Sequence, residues 1–498
     1  MKYIIKPKIY TIAVFLLLSI MGCQKVLDVN TDPNNPSTAN PQQLLPAAQV
    51  EMASALYNAY AFTTSMWAQY WTSGTTIGTT PVEFFTLVGG DIDRSYQRSY
   101  SRALQDYAEL IKSDQPIYAG MAKILTAYTM QNLVDLHGDV PYSEALKGEI
   151  ADGAITTPKF DKSEDIYAAL IPLIDQGLLD LQKTGGTIEF PGDEDLVYAG
   201  DLSKWVVFAN TLKLKILVRQ SFANTAKLNE ASTLIASGAP LIDGTNAATV
   251  YFDGASKGNS NPLWARFESR EATKMYMRAS QTSIDVLLSL GDPRVGTIYK
   301  KGSDPGYTGI NQGESNNPPY KASANTKYAE PNATYVYNPS VPVFLISAWE
   351  SKFLQAEVLA RKGDAGAQTA WEAGIEESFN YYELNTGTAL ADYISTLTFG
   401  ATIDDQIKSI AIQKWISMNG LQMNEGWIET RRFDRESENK LIFRGSRTSD
   451  GTIFYSPSQN ALGTDKFPSI FVYPLTEVQY NPNCPKNRTV VDKVFWDN

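Results

Sequence analysis

Apolar residues recur at spacings of three and four through most of this chain, and that period constrains the fold more than any other feature. From Pro41 to about Trp71, the residues Leu44, Leu45, Ala48, Met52, Leu56 and Tyr60 mark one buried helical face. Further helices are predicted over 95–113, 118–136, 163–181 and 201–222, the last with Trp205, Phe208, Leu212, Ile216 and Arg219 on neighbouring turns. A helix pair follows over 348–362 and 365–382, joined by Gly363-Asp364, and another helix runs from Thr402 to about Asn419. Ala356, Gly363 and Ala370 are small enough to let that pair approach closely, as in tetratricopeptide hairpins. Between Ile242 and about Ser347 the character changes to Gly, Asn, Pro and Ser with one helical piece over 279–290, and the stretch from Arg431 onward is irregular and aromatic. The expected fold is all-α: a tetratricopeptide-like hairpin scaffold with a large loop-rich insertion face. No break in composition divides residues 41–498, so they form one domain.

The N-terminus reads differently. Lys2, Lys6 and Lys8 precede the apolar run Ile12 to Leu18, and Gly22-Cys23 follows, which is the pattern of a signal peptide over residues 1–22. The run is well short of the roughly 20 residues needed to cross a hydrocarbon core. Gly22-Cys23 resembles the lipobox of bacterial lipoproteins, which marks Cys23 for a thioether-linked diacylglycerol. Two acyl chains, at about 0.8 kcal/mol per buried methylene, anchor a protein stably. Residues 23–40, rich in Asp, Asn and Pro, read as the tether. The chain has two cysteines, so with Cys23 lipidated only Cys484 remains and no internal disulfide forms. A packed core must carry the stability, which a chain of this length supplies.

Several strings occur together and in order: LDVNTDPNNP after Cys23, DLHGDVPYSEAL at 135–146, FDKSEDIYAALIPLID at 160–175 and YAGDLSKWVVFANTLKLKILVR at 198–219. They continue with GDPR at 291–294, ESKFLQAEVLARKGD at 350–364, IQKWISMNG at 412–420 and FPSIFVYPLTEVQYNPN at 467–483. In this combination the chain resembles the SusD/RagB family of nutrient-binding outer-membrane lipoproteins of Bacteroidetes. The resemblance implies helix pairs supporting a loop-rich ligand face. It also implies a partner, a SusC-like TonB-dependent barrel that receives a captured glycan or oligopeptide, and display at the cell exterior.

Candidate chemistry is weighted toward binding. With 54 acidic against 43 basic side chains, a nucleic-acid partner is disfavoured. His137 is the sole histidine, which leaves one possible centre for a catalytic triad and none for a two-histidine metal site; at the end of a helix it reads as structural. Glu376-Glu377 and Asp404-Asp405 read as solvated helix faces, and Asp32, Asn34, Asn35, Asp91 and Asp93 as turn residues, so no metal or cofactor is expected. Trp67, Tyr70 and Trp71 stand before the polar loop 72–78, where aromatic faces suit sugar C–H faces and hydroxyls suit sugar hydroxyls; the same spacing also suits a core. Trp264, Arg266 and Tyr276 in the loop-rich third are the second candidate, against a loop anchored by a buried tryptophan. The reading is a non-catalytic capture lipoprotein, with a lipid-anchored glycosidase and a structural envelope protein as alternatives.

Overall fold

Asn40 starts the first helix, α1 (Pro41–Ala55): its side chain accepts from the Gln42 N–H at 3.0 Å while Pro41, which has no N–H to lose, takes the first helical position. The computed structural model describes residues 40–148, 153–256, 258–268, 276–447 and 450–497. The expected signal peptide, Cys23, most of the tether and the Asp32, Asn34 and Asn35 group lie outside them. The helical period does not run unbroken to Trp71. A π-type segment, Leu56–Tyr60, joins α1 to α2 (Ala61–Trp67), and the chain turns through Gln69 at φ 54° into the strand β1 (Trp71–Ser73). A second π segment, Ser99–Leu104, follows α3 (Asp93–Arg98) and leads into α4 (Gln105–Lys112).

Pairs of helices then build the scaffold. α5 (Pro116–His137) packs against α6 (Ser163–Asp180) at a point where glycine meets glycine. A Cβ on either Gly120 or Gly177 would lie 2.8 Å from the other's carbonyl oxygen, so the close crossing requires both. α7 (Leu202–Gln220), capped by Asp201, packs on α8 (Thr225–Ala236). After the short helix α9 (Pro262–Glu268) come α10 (Ala348–Arg361) and α11 (Ala367–Tyr381), then α12 (Ile403–Met418) and α13 (Met423–Phe433). The expected all-α, tetratricopeptide-like class is therefore the one observed. One detail differs: Gly363 sits in the turn at φ 69°, and α10 and α11 meet instead where the Phe353 ring fills the space a Cβ on Gly374 would need, 2.7 Å away.

The loop-rich third adds only short strands. β1 pairs antiparallel with β3 (Met277–Ala279), β2 (Ala248–Val250) with β6 (Val343–Ile346), and β4 (Tyr299–Lys300) with β5 (Glu330–Pro331). The first two pairs tie the insertion to the helices, since β1 follows the turn after α2 and β6 leads into α10.

Helix α13 was not expected, because its residues are polar as often as apolar, yet every one of them is buried. Its charges join a network between helices. Glu429 accepts from Lys414 Nζ at 2.8 Å, from Arg432 Nε at 2.8 Å and from Arg219. Arg219 also reaches Glu425 at 2.5 Å and Asp135 at 3.1 Å, Lys215 bridges Glu350 and Glu425 at 2.8 and 2.9 Å, and Arg432 meets Glu357 at 2.5 Å. Burial alone would raise the Glu425 carboxyl, but Arg219 and Lys215 outweigh it and hold that group at about 2. Glu429 is held well below its usual range for the same reason: burial opposes, and Arg432, Lys414 and Arg219 prevail. Such a network positions helices more than it stabilises them, because desolvation cancels much of the attraction.

Candidate functional site

The first aromatic candidates are core residues. Trp67 packs between Trp427 and Phe471, with ring centroids 5.2 and 4.8 Å away, and its indole N–H donates to the Val82 carbonyl. Tyr70 lies against Trp415 at 5.0 Å and donates to that residue's carbonyl at 2.7 Å. Trp71 is fully buried, beside Phe267 and Tyr337. None offers a face to a ligand, contrary to the expected binding role, because the chain after α2 turns through Gln69 into β1, whose pairing with β3 buries these rings. The β1–β3 pairing brings Tyr276 to the same place, edge-on to Phe267 at 5.3 Å and 6% exposed, so it too belongs to this buried cluster. Trp264 is partly buried beside an enclosed cavity of about 10 Å³, room for a single water. Arg266 diverges from the rest: its Nη1 donates to Asn58 at 3.0 Å, and its guanidinium lies 4.8 Å over the Phe62 ring.

The remaining sequence candidates find local roles. His137 ends α5 in the core, 2.7 Å from the Tyr60 hydroxyl; burial, with Arg488 adding to it, pushes the imidazole down to about 3 and keeps it neutral. Burial likewise pushes the Cys484 thiol up to about 12, away from a reactive thiolate. Asp404 pairs with Arg435 and Lys440. Asp91 accepts from the Val88 N–H, and Asp93 from Thr476. Glu377 departs from the expected solvated face, for it is half-buried in a cleft.

That cleft, with a volume of about 710 Å³, opens between the β2–β6 ribbon and the α10–α11 hairpin. Three rings back it: Phe344 of β6 lies 4.9 Å from Trp349 of α10, and Tyr381 of α11 lies 5.5 and 5.6 Å from the two. Trp349 is buried, and its indole N–H has no partner among the described residues. On the rim Tyr251 is 65% exposed, the flanking residue of β2 and therefore free to present a ring face. Polar groups line the opposite edge. Glu377 accepts from the Gly244 N–H at 3.0 Å, Asp243 accepts from the Thr245 N–H and hydroxyl at 3.0 and 2.8 Å, and Asn380 completes the wall. Burial first, and Asp243 and Glu376 nearby, raise the Glu377 carboxyl above its usual range. A Cβ on Gly244 would lie 2.6 Å from that carboxylate, so the loop approaches it closely only because residue 244 has no side chain. Helical spacing assigns Trp349 to the scaffold and does not single out Tyr251; a tyrosine ending a strand amid Gly, Asn and Pro was the available signal.

Helical hairpins carrying a loop-built insertion with an aromatic and polar cleft against it define a class, the tetratricopeptide-like scaffolds that bear a loop face. The chain belongs to the SusD-like family: the family model described as SusD-like_2, "Starch-binding associating with outer membrane", matches residues 33–437. Solved structures agree in fold. A chitin-binding protein is 23% identical, covering 92% of this chain and 100% of that chain with a TM-score of 0.73. A SusD homolog from Bacteroides uniformis is 20% identical, covering 91% of this chain and 99% of that chain, TM-score 0.71. A chitin-binding SusD homolog from Flavobacterium johnsoniae is 18% identical, covering 91% and 98%, TM-score 0.71. No curated protein matches the sequence. The family is outer-membrane associated, and among the described residues no helix is long and apolar enough to cross a membrane.

Proposed function

We propose that this protein is an outer-membrane surface lipoprotein, anchored through Cys23, that captures a glycan and delivers it to a SusC-like TonB-dependent barrel. The observation that carries the reading is the cleft. Its volume of about 710 Å³ suits several sugar rings, within the range of about 300–1,000 Å³ usual for small-molecule sites. Tyr251 offers an exposed ring to sugar C–H faces, while Asp243, Thr245, Glu377 and Asn380 offer partners for hydroxyls. The unpartnered indole N–H of Trp349 is a donor that a ligand oxygen or a water would satisfy. The two chitin-binding relatives favour a glycan, of chitin type, over an oligopeptide.

Capture without cleavage fits the carboxylates. Glu377 bonds the backbone of the residue next to Asp243, so both acids stand on one wall. A glycosidase needs two acids facing each other across the bond to be cut, about 5–10 Å apart. The anchor rests on the Gly22-Cys23 junction, and the barrel partner rests on the family.

Calorimetric titration with a chitin hexasaccharide tests the site. Tyr251→Ala is expected to weaken binding about fivefold to tenfold, the value of a single stacking interaction of about 1–1.5 kcal/mol, with melting unchanged. Unaltered affinity would remove the cleft from the reading. Mild-detergent extraction of tagged protein from its native membrane tests the partner; recovery of the lipoprotein without a barrel would overturn delivery.

A further inference from the structure

The cleft is acidic as well as aromatic. Asp243 and Glu377 line it, and no Lys, Arg or His stands among its described lining residues. Each acid gives one oxygen to the loop 243–245. Glu377 Oε1 accepts from the Gly244 N–H at 3.0 Å, and Asp243 Oδ1 accepts from the Thr245 N–H at 3.0 Å and from its hydroxyl at 2.8 Å. Neither acid forms an ion pair with a described residue, which leaves Glu377 Oε2 and Asp243 Oδ2 uncommitted.

The surrounding charges do not cancel the pair. Glu376 is the exposed neighbour of Glu377 in α11, and Lys352 of α10 acts on Glu377 without forming an ion pair with it and without lining the cleft. Burial first, with Asp243 and Glu376, raises the Glu377 carboxyl against the opposing Gly244 N–H and Lys352. That is the state of a carboxylate short of a cation, and an ammonium placed beside it would reverse the shift.

The same cleft holds groups that a bare cation does not satisfy. Trp349 is 3% exposed, and its indole N–H, without a partner among the described residues, needs an oxygen acceptor. Tyr251 presents a ring that receives C–H faces and attracts an ammonium. A lysine side chain brings the ammonium alone, whereas an amino sugar brings an ammonium, hydroxyl oxygens and a C–H face on one ring.

We propose that the cleft selects an amino sugar with a free amine: a glucosamine unit of a chitin-type chain, its ammonium between Glu377 and Asp243 and its ring on Tyr251. An N-acetyl group removes the charge from that nitrogen and leaves the two carboxylates desolvated with no counter-charge. The inference rests on the capture reading of this cleft and narrows the chitin-type ligand to a deacetylated one.

The test is calorimetric titration of the full mature protein with a glucosamine hexamer and with chitin hexasaccharide, at low ionic strength and about pH 6, where an amine is protonated and an ordinary carboxyl ionised. The glucosamine hexamer is expected to bind about tenfold tighter, the worth of one charge-assisted hydrogen bond, and the advantage to shrink as salt is added. Glu377→Gln and Asp243→Asn each keep an oxygen for the loop. Each is expected to cost the glucosamine hexamer about tenfold more affinity than it costs chitin hexasaccharide. Chitin hexasaccharide bound at least as tightly as the glucosamine hexamer overturns the inference and leaves the capture reading standing, as do equal losses for the two ligands in both variants. Binding of neither hexamer removes the capture reading and the inference with it. Trilysine bound as tightly as the glucosamine hexamer overturns the sugar in favour of a cationic peptide.

Discussion

Replacing Glu429 by Gln keeps the shape of the side chain and removes its charge, and the surroundings determine the cost. The carboxylate receives Arg219, Lys414 and Arg432, and it is 3% exposed. Arg219 retains Glu425 and Asp135, and Arg432 retains Glu357, whereas Lys414 has no second carboxylate among its ion pairs with the described residues. Glu429→Gln therefore strands a buried ammonium, and breaking a buried pair in this way costs about 3–5 kcal/mol. That is a large share of the roughly 5–15 kcal/mol by which a domain is stable. Glu230 is the matched control: it pairs with Lys227 at 2.9 Å but is 49% exposed. Its change to Gln should cost about 0–1 kcal/mol. Urea denaturation followed by tryptophan fluorescence reads both, with midpoints compared at equal slope. Adding Lys414→Met to Glu429→Gln should recover part of the loss by removing the stranded charge. If Glu429→Gln costs no more than Glu230→Gln, burial does not govern this network and the reasoning fails.

Two further outcomes follow from buried groups. The His137 imidazole lies at about 3 in the fold against an ordinary 6.5, so the folded protein excludes a proton that the unfolded chain accepts. The stability it contributes is complete above pH 6.5 and is lost progressively as the pH falls toward 3. His137→Gln should flatten the pH dependence of the urea midpoint between those limits, and an unchanged slope would contradict burial as the cause. Gly120→Ala places a methyl 2.8 Å from the Gly177 carbonyl oxygen. The overpacking, about 1–3 kcal/mol, should exceed the gain of roughly 1 kcal/mol in helix propensity, lowering the melting temperature; a rise would mean that α5 and α6 separate freely.

Helices whose burial is written in an apolar period were legible residue by residue. α5, α7 and α10 begin and end within two residues of the stretches read from spacing, and Asp201 caps α7 as a helix-start signal should. α13 was not legible, because its buried face is made of Glu425, Glu429, Arg431 and Arg432, whose burial depends on partners from four other helices. The breaks at 56–60 and 99–104 were equally hidden, since a π segment keeps helical spacing while adding one residue to the turn.

The candidate site divides in the same way. Trp67, Tyr70 and Trp71 carry a spacing that serves a core and a binding face equally well, and only the inward turn after α2 decided for the core. The cleft joins Tyr251 to Glu377 and Tyr381 across more than a hundred residues, through the pairing of β2 with β6. By itself the sequence determined the helical class and the family, because each is local or follows the order of strings along the chain. Tertiary structure alone decided which aromatics face solvent and which charges meet, because exposure and ion pairing depend on segments that only folding brings together.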